Sequence, residues 1–516
     1  MSSTPLEPGA DSSLAGAPGD DRPGIRERAV VGVFWAAAQK WLVRISSLLA
    51  FVLLGRLLSP QEFGVVALAM AVITMLATIS DAGFTPWVIQ KRGLTPRAAS
   101  TAFWISTAIG TVLAVALAAL AVPVADLFDS PELRLVLPVL AGTLVIMGLS
   151  GVPAALLQRD LRFKELAVRQ VVATVLSIVV AVGLALAGAG VWALVAQTVV
   201  RVVVACVILF WAGDFRPRLT FSRADAADML GYGSKSLGVT LGGAARQSGE
   251  PFLVGAVLGT VALGYWTVAG RLASTVVDLC SAAIGSVAGP VFSELQDEPE
   301  RLGRTFARLL SVGGFVLVPV MTAMALVSAD LVPLLFGSQW AVSAGVASIL
   351  AATWLFAGLA NLQRNLLLGT GRAGRELTLT MGALVGQLGL VVLLGQWGLT
   401  AIAVGLSVWG GLVFAVRGAV IARDLGVGMS AYTQLLAVAL AAGLAAGAVL
   451  AVVLGWDLEG AARLAVVALL GGAVFAGAAF LLARATVDDL RSSVLGVLAR
   501  RRRRGAAAPG GGTVPR

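Results

Sequence analysis

The chain is predicted to be an all-α, polytopic membrane protein of about fourteen transmembrane helices, arranged as two pseudo-symmetric six-helix lobes around a central cavity with two extra C-terminal helices. Three observations predict this. Of the 516 residues, 58% are hydrophobic and only 13% charged, and the mean hydropathy is +0.91, a balance foreign to a water-soluble chain of this length. Mostly apolar stretches of about 20 residues recur along nearly the whole sequence, the helical solution to a hydrocarbon core ~30 Å thick that offers the backbone no water. The connections between those stretches carry basic residues unevenly, as repeated membrane crossing demands.

Taken in order, residues 1–28 are rich in Ser, Pro, Gly and Asp, lack a basic start and a cleavage pattern, and read as a disordered cytoplasmic tail. Spans with cores near 30–55, 63–83, 99–121, 134–157, 167–188 and 191–212 make an N-lobe over 29–212. A cytoplasmic linker over 213–228 follows. Spans near 229–258, 262–290, 306–328, 342–367, 377–396 and 399–420 make a C-lobe over 229–425. Two more, near 433–455 and 461–484, occupy 426–486, and 487–516 is a basic cytoplasmic tail. The Arg500 to Arg504 run follows a span, so it reads as an anchor near anionic lipid and not as a nucleic-acid contact.

With the N-terminus inside, 28 of the 38 basic residues fall on the cytoplasmic side, among them Lys91, Arg159, Arg169, Arg216, Arg301, Arg375, Arg417 and Arg423. Only Arg56, Arg134 and Arg463 fall outside. This asymmetry puts both termini in the cytoplasm of a cell with a plasma, or inner, membrane and makes the net charge of +10 a matter of topology.

Sliding the chain by 200 positions sets Leu53, Gly55, Leu58, Gly64 and Ala69 on Leu253, Gly255, Leu258, Gly264 and Ala269. A shift of 205 sets Leu157, Gln158 and Arg159 on Leu362, Gln363 and Arg364. Two collinear matches separated by an even number of spans imply duplicated bundles in parallel orientation, and transporters so built hold cargo between the halves.

Five bases, Lys40, Arg44, Arg201, Arg246 and Arg271, lie deep in apolar spans against two acids, Glu250 and Asp278. A cation at the bilayer centre costs roughly 2.5 to 3.5 kcal/mol on insertion scales, so this set is not expected to face lipid. Helix rise puts Arg44, Glu250, Arg246 and Arg271 ~13 to 19 Å from the outer ends of their spans, near one level. Lys40 and Arg44 share a helix face and repel, so that pair seeks an external anion. Arg246 and Glu250 are four residues apart with opposite sign and are open to reading as a structural salt bridge or as functional groups. Arg271 and Asp278 share a face of the eighth span, and Arg201 is alone in the sixth. Asp81, Lys235 and Arg364 lie near cytoplasmic span ends, where capping and snorkelling are expected. Trp35, Trp41, Trp104, Trp192, Tyr265, Trp266 and Trp340 read first as interfacial belt residues.

Histidine is absent and the two cysteines, Cys206 and Cys280, fall inside spans, so no metal site and no cofactor is expected. The predicted outer connections are short and carry no nucleophile or carboxylate pair, which argues against an enzyme and assigns no catalytic residue.

The segments GRLLSPQEFGVVALA (55–69), LLQRDLRFKELAVRQ (156–170), AGAGVWALVAQ (187–197), VGAVLGTVALGYWTVAGRL (254–272), GPVFSELQDEPERL (289–302) and LLFGSQW (334–340) carry a resemblance. Over roughly 30–425 the chain resembles the polysaccharide-transporter branch of the multidrug/oligosaccharidyl-lipid/polysaccharide exporter superfamily, the Wzx-type flippases and teichuronic or colanic acid exporters. The resemblance implies movement of an undecaprenyl-diphosphate-linked oligosaccharide from the inner to the outer leaflet, with polysaccharide assembly proteins as further partners. It implies substrate binding by cavity bases, here Lys40, Arg44, Arg246, Arg271 and Arg201. Glu250 and Asp278 are the candidates for a coupling Na+ or H+. The runner-up is a cation-coupled multidrug exporter of the same fold, whose cavity is expected to be acidic where this one is basic.

Overall fold

A computed structural model describes residues 42–81, 84–426, 430–456 and 460–482. Lys40, Trp35, Trp41 and both tails lie outside the described residues. The described chain is helical throughout: α1 over 42–57, α2 Pro60–Asp81, α3 Phe84–Gln90, α4 Pro96–Ala119, α5 Ala121–Leu127, α6 Leu133–Arg159, α7 Phe163–Leu186 and α8 Val191–Ala212. The second half holds α9 Arg223–Glu294, α10 Pro299–Phe336, α11 Ala341–Gly369, α12 Ala373–Leu394 and α13 Gly398–Leu425. α14 Ser430–Trp456, α15 Gly460–Val466 and α16 Gly472–Leu482 complete it, the last two joined by one π turn.

Wherever the expected spans fall on described residues they are helical over most of their length, and ten helical stretches among the described residues are long and apolar enough to cross a membrane. This is a multi-pass membrane protein. Two of the ten, Leu241–Ser281 and Ala373–Leu425, each combine parts of two expected spans. In α9 the break is Gly259, at φ 83° and ψ 175°, a conformation that only glycine adopts without strain. Gly398, at φ 86°, divides α12 from α13 in the same way. Helix starts follow side-chain chemistry. Thr95 accepts a hydrogen bond from the Ala98 N–H at 3.1 Å ahead of Pro96, and Ser222 accepts from the Asp225 N–H at 3.3 Å.

Helices α2, α4, α6, α7 and α8 pack in a chain of neighbours, as do α9 to α13, while α14 and α16 extend the second group through α10. The main contact between the groups is α2 against α9. It is centred on the duplicated glycines. A Cβ at Gly64 would overlap the Thr260 carbonyl, and one at Gly264 would overlap the Pro60 carbonyl. Ala69 and Ala269 on the same helices are fully buried. Reciprocal contact of equivalent positions is what a duplicated bundle places on its pseudo-two-fold axis.

Around that crossing the end of α1 meets the turn after α10. Trp340 Nε1 donates to the Gly55 carbonyl at 2.7 Å, and Gln339 Nε2 donates to the Gly55 and Leu58 carbonyls at 3.1 Å. Arg56 donates to the carbonyls of Leu334 and Leu335 at the end of α10. Phe51, Phe63, Phe336 and Trp340 pack edge to face in the same layer. Two readings as belt residues are corrected here: Trp340 is 0% exposed and Trp266 is 3% exposed, because each indole is packed between helices and its N–H is consumed by protein. Trp104 and Trp192 remain partly exposed.

At the opposite end the linker is strapped to the first group. Lys91 Nζ bonds Asp225 at 2.7 Å and Asp228 at 3.0 Å and lies over the Trp87 ring, while Arg97 donates to the Phe221 carbonyl and Trp104 to that of Arg218. Burial works against the Lys91 ammonium, but its bonds to the two carboxylates outweigh burial and hold it above its usual range. Lys91 in turn holds the Asp225 carboxyl below the usual carboxylate range. Asp81 accepts from the Thr85 N–H and hydroxyl, the capping role expected of it.

Arg417 corrects the charge sort. It is 6% exposed within α13, not a loop residue, and it forms a two-pronged pair with Glu376 of α12 at 2.8 and 3.1 Å, with Thr380 as a third partner. A guanidinium sealed between helices needs such a complete set of acceptors.

Candidate functional site: mid-span arginines of the two lobes

Helices α8 and α9 are not closely packed against each other, and both carry arginines in mid-span. Arg201 on α8 and Arg271 on α9 are both exposed, and Arg271 lies within electrostatic reach of the Arg201 guanidinium. No acid bonds either one among the described residues. The structure therefore gives Arg201, isolated in the sequence reading, a neighbour from the other lobe. Arg246, also on α9, is exposed and has no ion pair among the described residues.

Arg44 is different. Its Nη2 donates to Asp278 Oδ2 at 2.6 Å, linking α1 to α9. The expectation that Arg44 lacks an internal counter-ion is thereby corrected: Asp278 supplies one from the second lobe. The depth estimate shifts as well, because Arg44 reaches a residue about 10 Å further along α9 than Arg271, seven positions at helical rise.

Glu250 is not paired with Arg246. One turn of helix separates them, but the carboxylate turns into the second lobe, where Trp266 Nε1 donates to Oε1 at 2.8 Å and Gln387 of α12 donates to Oε2. Both donors are neutral. The local i, i+4 spacing was outweighed by two hydrogen bonds available inside the lobe, while the Arg246 head stays exposed. The partners were hard to read from sequence. Gln387, a polar residue in the middle of an apolar span, was the one visible signal.

Among the described residues three mid-span guanidinium groups bond no acid, and a fourth, Arg44, is neutralised across the lobes. Arginine presents a fork of donors that matches the oxygens of phosphate or carboxylate.

The sequence profile of a family described as "Polysaccharide biosynthesis protein" matches residues 53–345, more than half of the chain. The chain belongs to that family. Among curated relatives, the succinoglycan biosynthesis transport protein ExoT of Rhizobium meliloti (strain 1021) is 30% identical over 300 residues, 58% of this chain and 60% of ExoT. The alignment thus spans less than two thirds of that relative. The lipopolysaccharide biosynthesis protein WzxC of Escherichia coli (strain K12) is 24% identical over 67% of this chain and 71% of its own. The teichuronic acid biosynthesis protein TuaB of Bacillus subtilis (strain 168) is 24% identical over 68% and 73%. Among solved structures, the lipid II flippase MurJ in an inward closed conformation superposes with a TM-score of 0.71 at 12% identity, covering 88% of this chain and 100% of that one. An inward-facing multidrug resistance MATE family transporter of the MOP superfamily gives 0.59 at 16% identity, covering 74% and 94%. At such identities the likeness is one of fold.

Proposed function

We propose that this protein is a flippase that moves an undecaprenyl-diphosphate-linked oligosaccharide from the cytoplasmic to the outer leaflet of the plasma (inner) membrane by alternating access. The observation that carries the reading is the set of exposed mid-span guanidinium groups, Arg201, Arg246 and Arg271, that bond no acid among the described residues. Three exposed cations inside membrane spans are costly unless water and an anion reach them, and a diphosphate supplies charge-assisted acceptors for several at once. The names of ExoT, WzxC and TuaB point to polysaccharide biosynthesis. A cation exporter on the same fold would present acids to its cargo, opposite to the sign of this cleft.

In this reading the positive-inside bias puts the glycine crossing at the outer face, so the lobes are sealed outward and the cleft is reached from the cytoplasm. The lipid chain stays in the bilayer while the glycan crosses in water. An inside-negative potential favours outward movement of two negative charges by about 4 to 5 kcal/mol at 100 mV. Lys40 belongs to the same receptor by its spacing from Arg44. We assign the coupling Na+ or H+ to Glu250, a carboxylate bonded by neutral donors in the second lobe. Transport that ignores both ion gradients would remove that assignment.

The test is native mass spectrometry of the purified protein. A polyprenyl-diphosphate sugar is expected to co-purify, and to be lost when Arg201 and Arg246 are changed together to Ala. Equal lipid retention by that double variant would refute the reading.

A further inference from the structure

Asp278 is the one acid found bonded to a cleft arginine among the described residues, and it reaches across the lobes to do so. Its side chain is 56% exposed and that of Arg44 is 25% exposed, so an incoming anion meets the pair without prior unpacking. One Nη2 to Oδ2 bond at 2.6 Å is recorded between them, a single prong where a guanidinium has a fork to offer. The pair ties α1 to α9, the two helices that any rocking of the lobes must separate at this level.

We propose that Asp278 is a tethered stand-in for the phosphate of the cargo, holding Arg44 while the cleft is empty and yielding it when a diphosphate arrives. The inference rests on the flippase reading and gives its site a switch. A diphosphate carries more charge than one carboxylate and presents oxygens to both prongs of Arg44, so it displaces Asp278. The freed carboxylate then stands beside a like-charged cargo and is repelled from it. The tie between α1 and α9 is lost only in the loaded protein, and cargo binding thereby disfavours this conformation relative to the alternatives. When cargo leaves, Asp278 recloses on Arg44, which spares the empty cleft one of its bare cations.

The experiment is a titration of the full-length protein with undecaprenyl diphosphate, read by native mass spectrometry, with undecaprenol as the uncharged control. Asp278→Asn keeps the shape and removes the competing charge. It is expected to bind the diphosphate lipid about threefold to tenfold more tightly than the unaltered protein, the range in which partly exposed ion pairs compete, with undecaprenol unaffected. The gain is expected to vanish in an Arg44→Ala background, since the two changes act on one contact. Asp278→Ser serves as a second variant of different shape and is expected to show the same gain. A role in packing alone predicts equal or weaker binding in both variants. Unchanged or weaker binding by Asp278→Asn and Asp278→Ser, with binding still lowered by Arg44→Ala, would overturn the stand-in and leave the flippase reading intact. No binding of undecaprenyl diphosphate to the unaltered protein would overturn both.

Discussion

Helices α1, α2 and α9 meet twice, and the two meetings are opposites. At the glycine crossing they touch backbone to backbone, with Trp340 and its aromatic neighbours excluding water. Further along α9, α1 and α9 touch through one part-exposed ion pair, Arg44 with Asp278, while Arg201, Arg246 and Arg271 bond no acid among the described residues. The first contact is dry and intolerant of a single methyl group; the second is a part-exposed pair of opposite charges. One contact therefore holds the lobes by shape and the other by charge.

The largest effect is expected where charge is sealed and nothing can replace a partner. Glu376→Gln leaves Arg417 buried beside a neutral amide and should cost about 3 to 5 kcal/mol, read as a drop in Tm in detergent. Asp278→Asn, which opens a pair already in water, should leave Tm nearly unchanged; equal losses would erase the distinction between sealed and receptive charge. Next comes Gly64→Ala, whose methyl meets the Thr260 carbonyl. Overpacking of about 3 kcal/mol against the sealed end should open it, read as faster labelling of a cysteine at Thr260 by an impermeant thiol reagent applied from outside. Labelling as slow as in the glycine parent would show that the crossing is not the seal.

Arg271→Ala should weaken undecaprenyl diphosphate binding by about 1.5 to 3 kcal/mol without shifting Tm, because no protein acceptor loses a partner. Trp340→Phe removes one of the hydrogen bonds to the Gly55 carbonyl and should cost about 1 kcal/mol, again read as Tm. The smallest effect is at the linker strap, which belongs to neither meeting. Its Asp225 carboxyl, lowered by Lys91, contributes stability above about pH 4 that is lost on acidification through the folded value. Its Lys91 ammonium, raised by two carboxylates against burial, contributes below about pH 10.4 and is lost as pH climbs past the folded value. Hydrogen exchange over 213–228, corrected for intrinsic rates, should be flat between roughly pH 5 and 9 and rise on either side.

The sequence alone determined the helical class, the spans and the break in α9, because these depend on local hydropathy and on glycine, which act within a few residues. It also exposed the repeat that puts Gly64 and Gly264 together, since a duplication preserves its own register. It singled out the mid-span arginines, since charge in an apolar run is conspicuous without any fold.

Partners were another matter. The local spacing left Glu250 open to pairing with Arg246, and the folded chain gave Glu250 to Trp266 and Gln387 instead. It read Arg417 as a loop cation and Trp340 as a belt residue, when both are buried by helices distant in sequence. Asp278 lies 234 residues from Arg44, and no periodicity reaches that far. Which helix faces which is settled by packing shape and by hydrogen bonds between lobes, so only the tertiary structure decided which charges are satisfied and which bond no acid among the described residues.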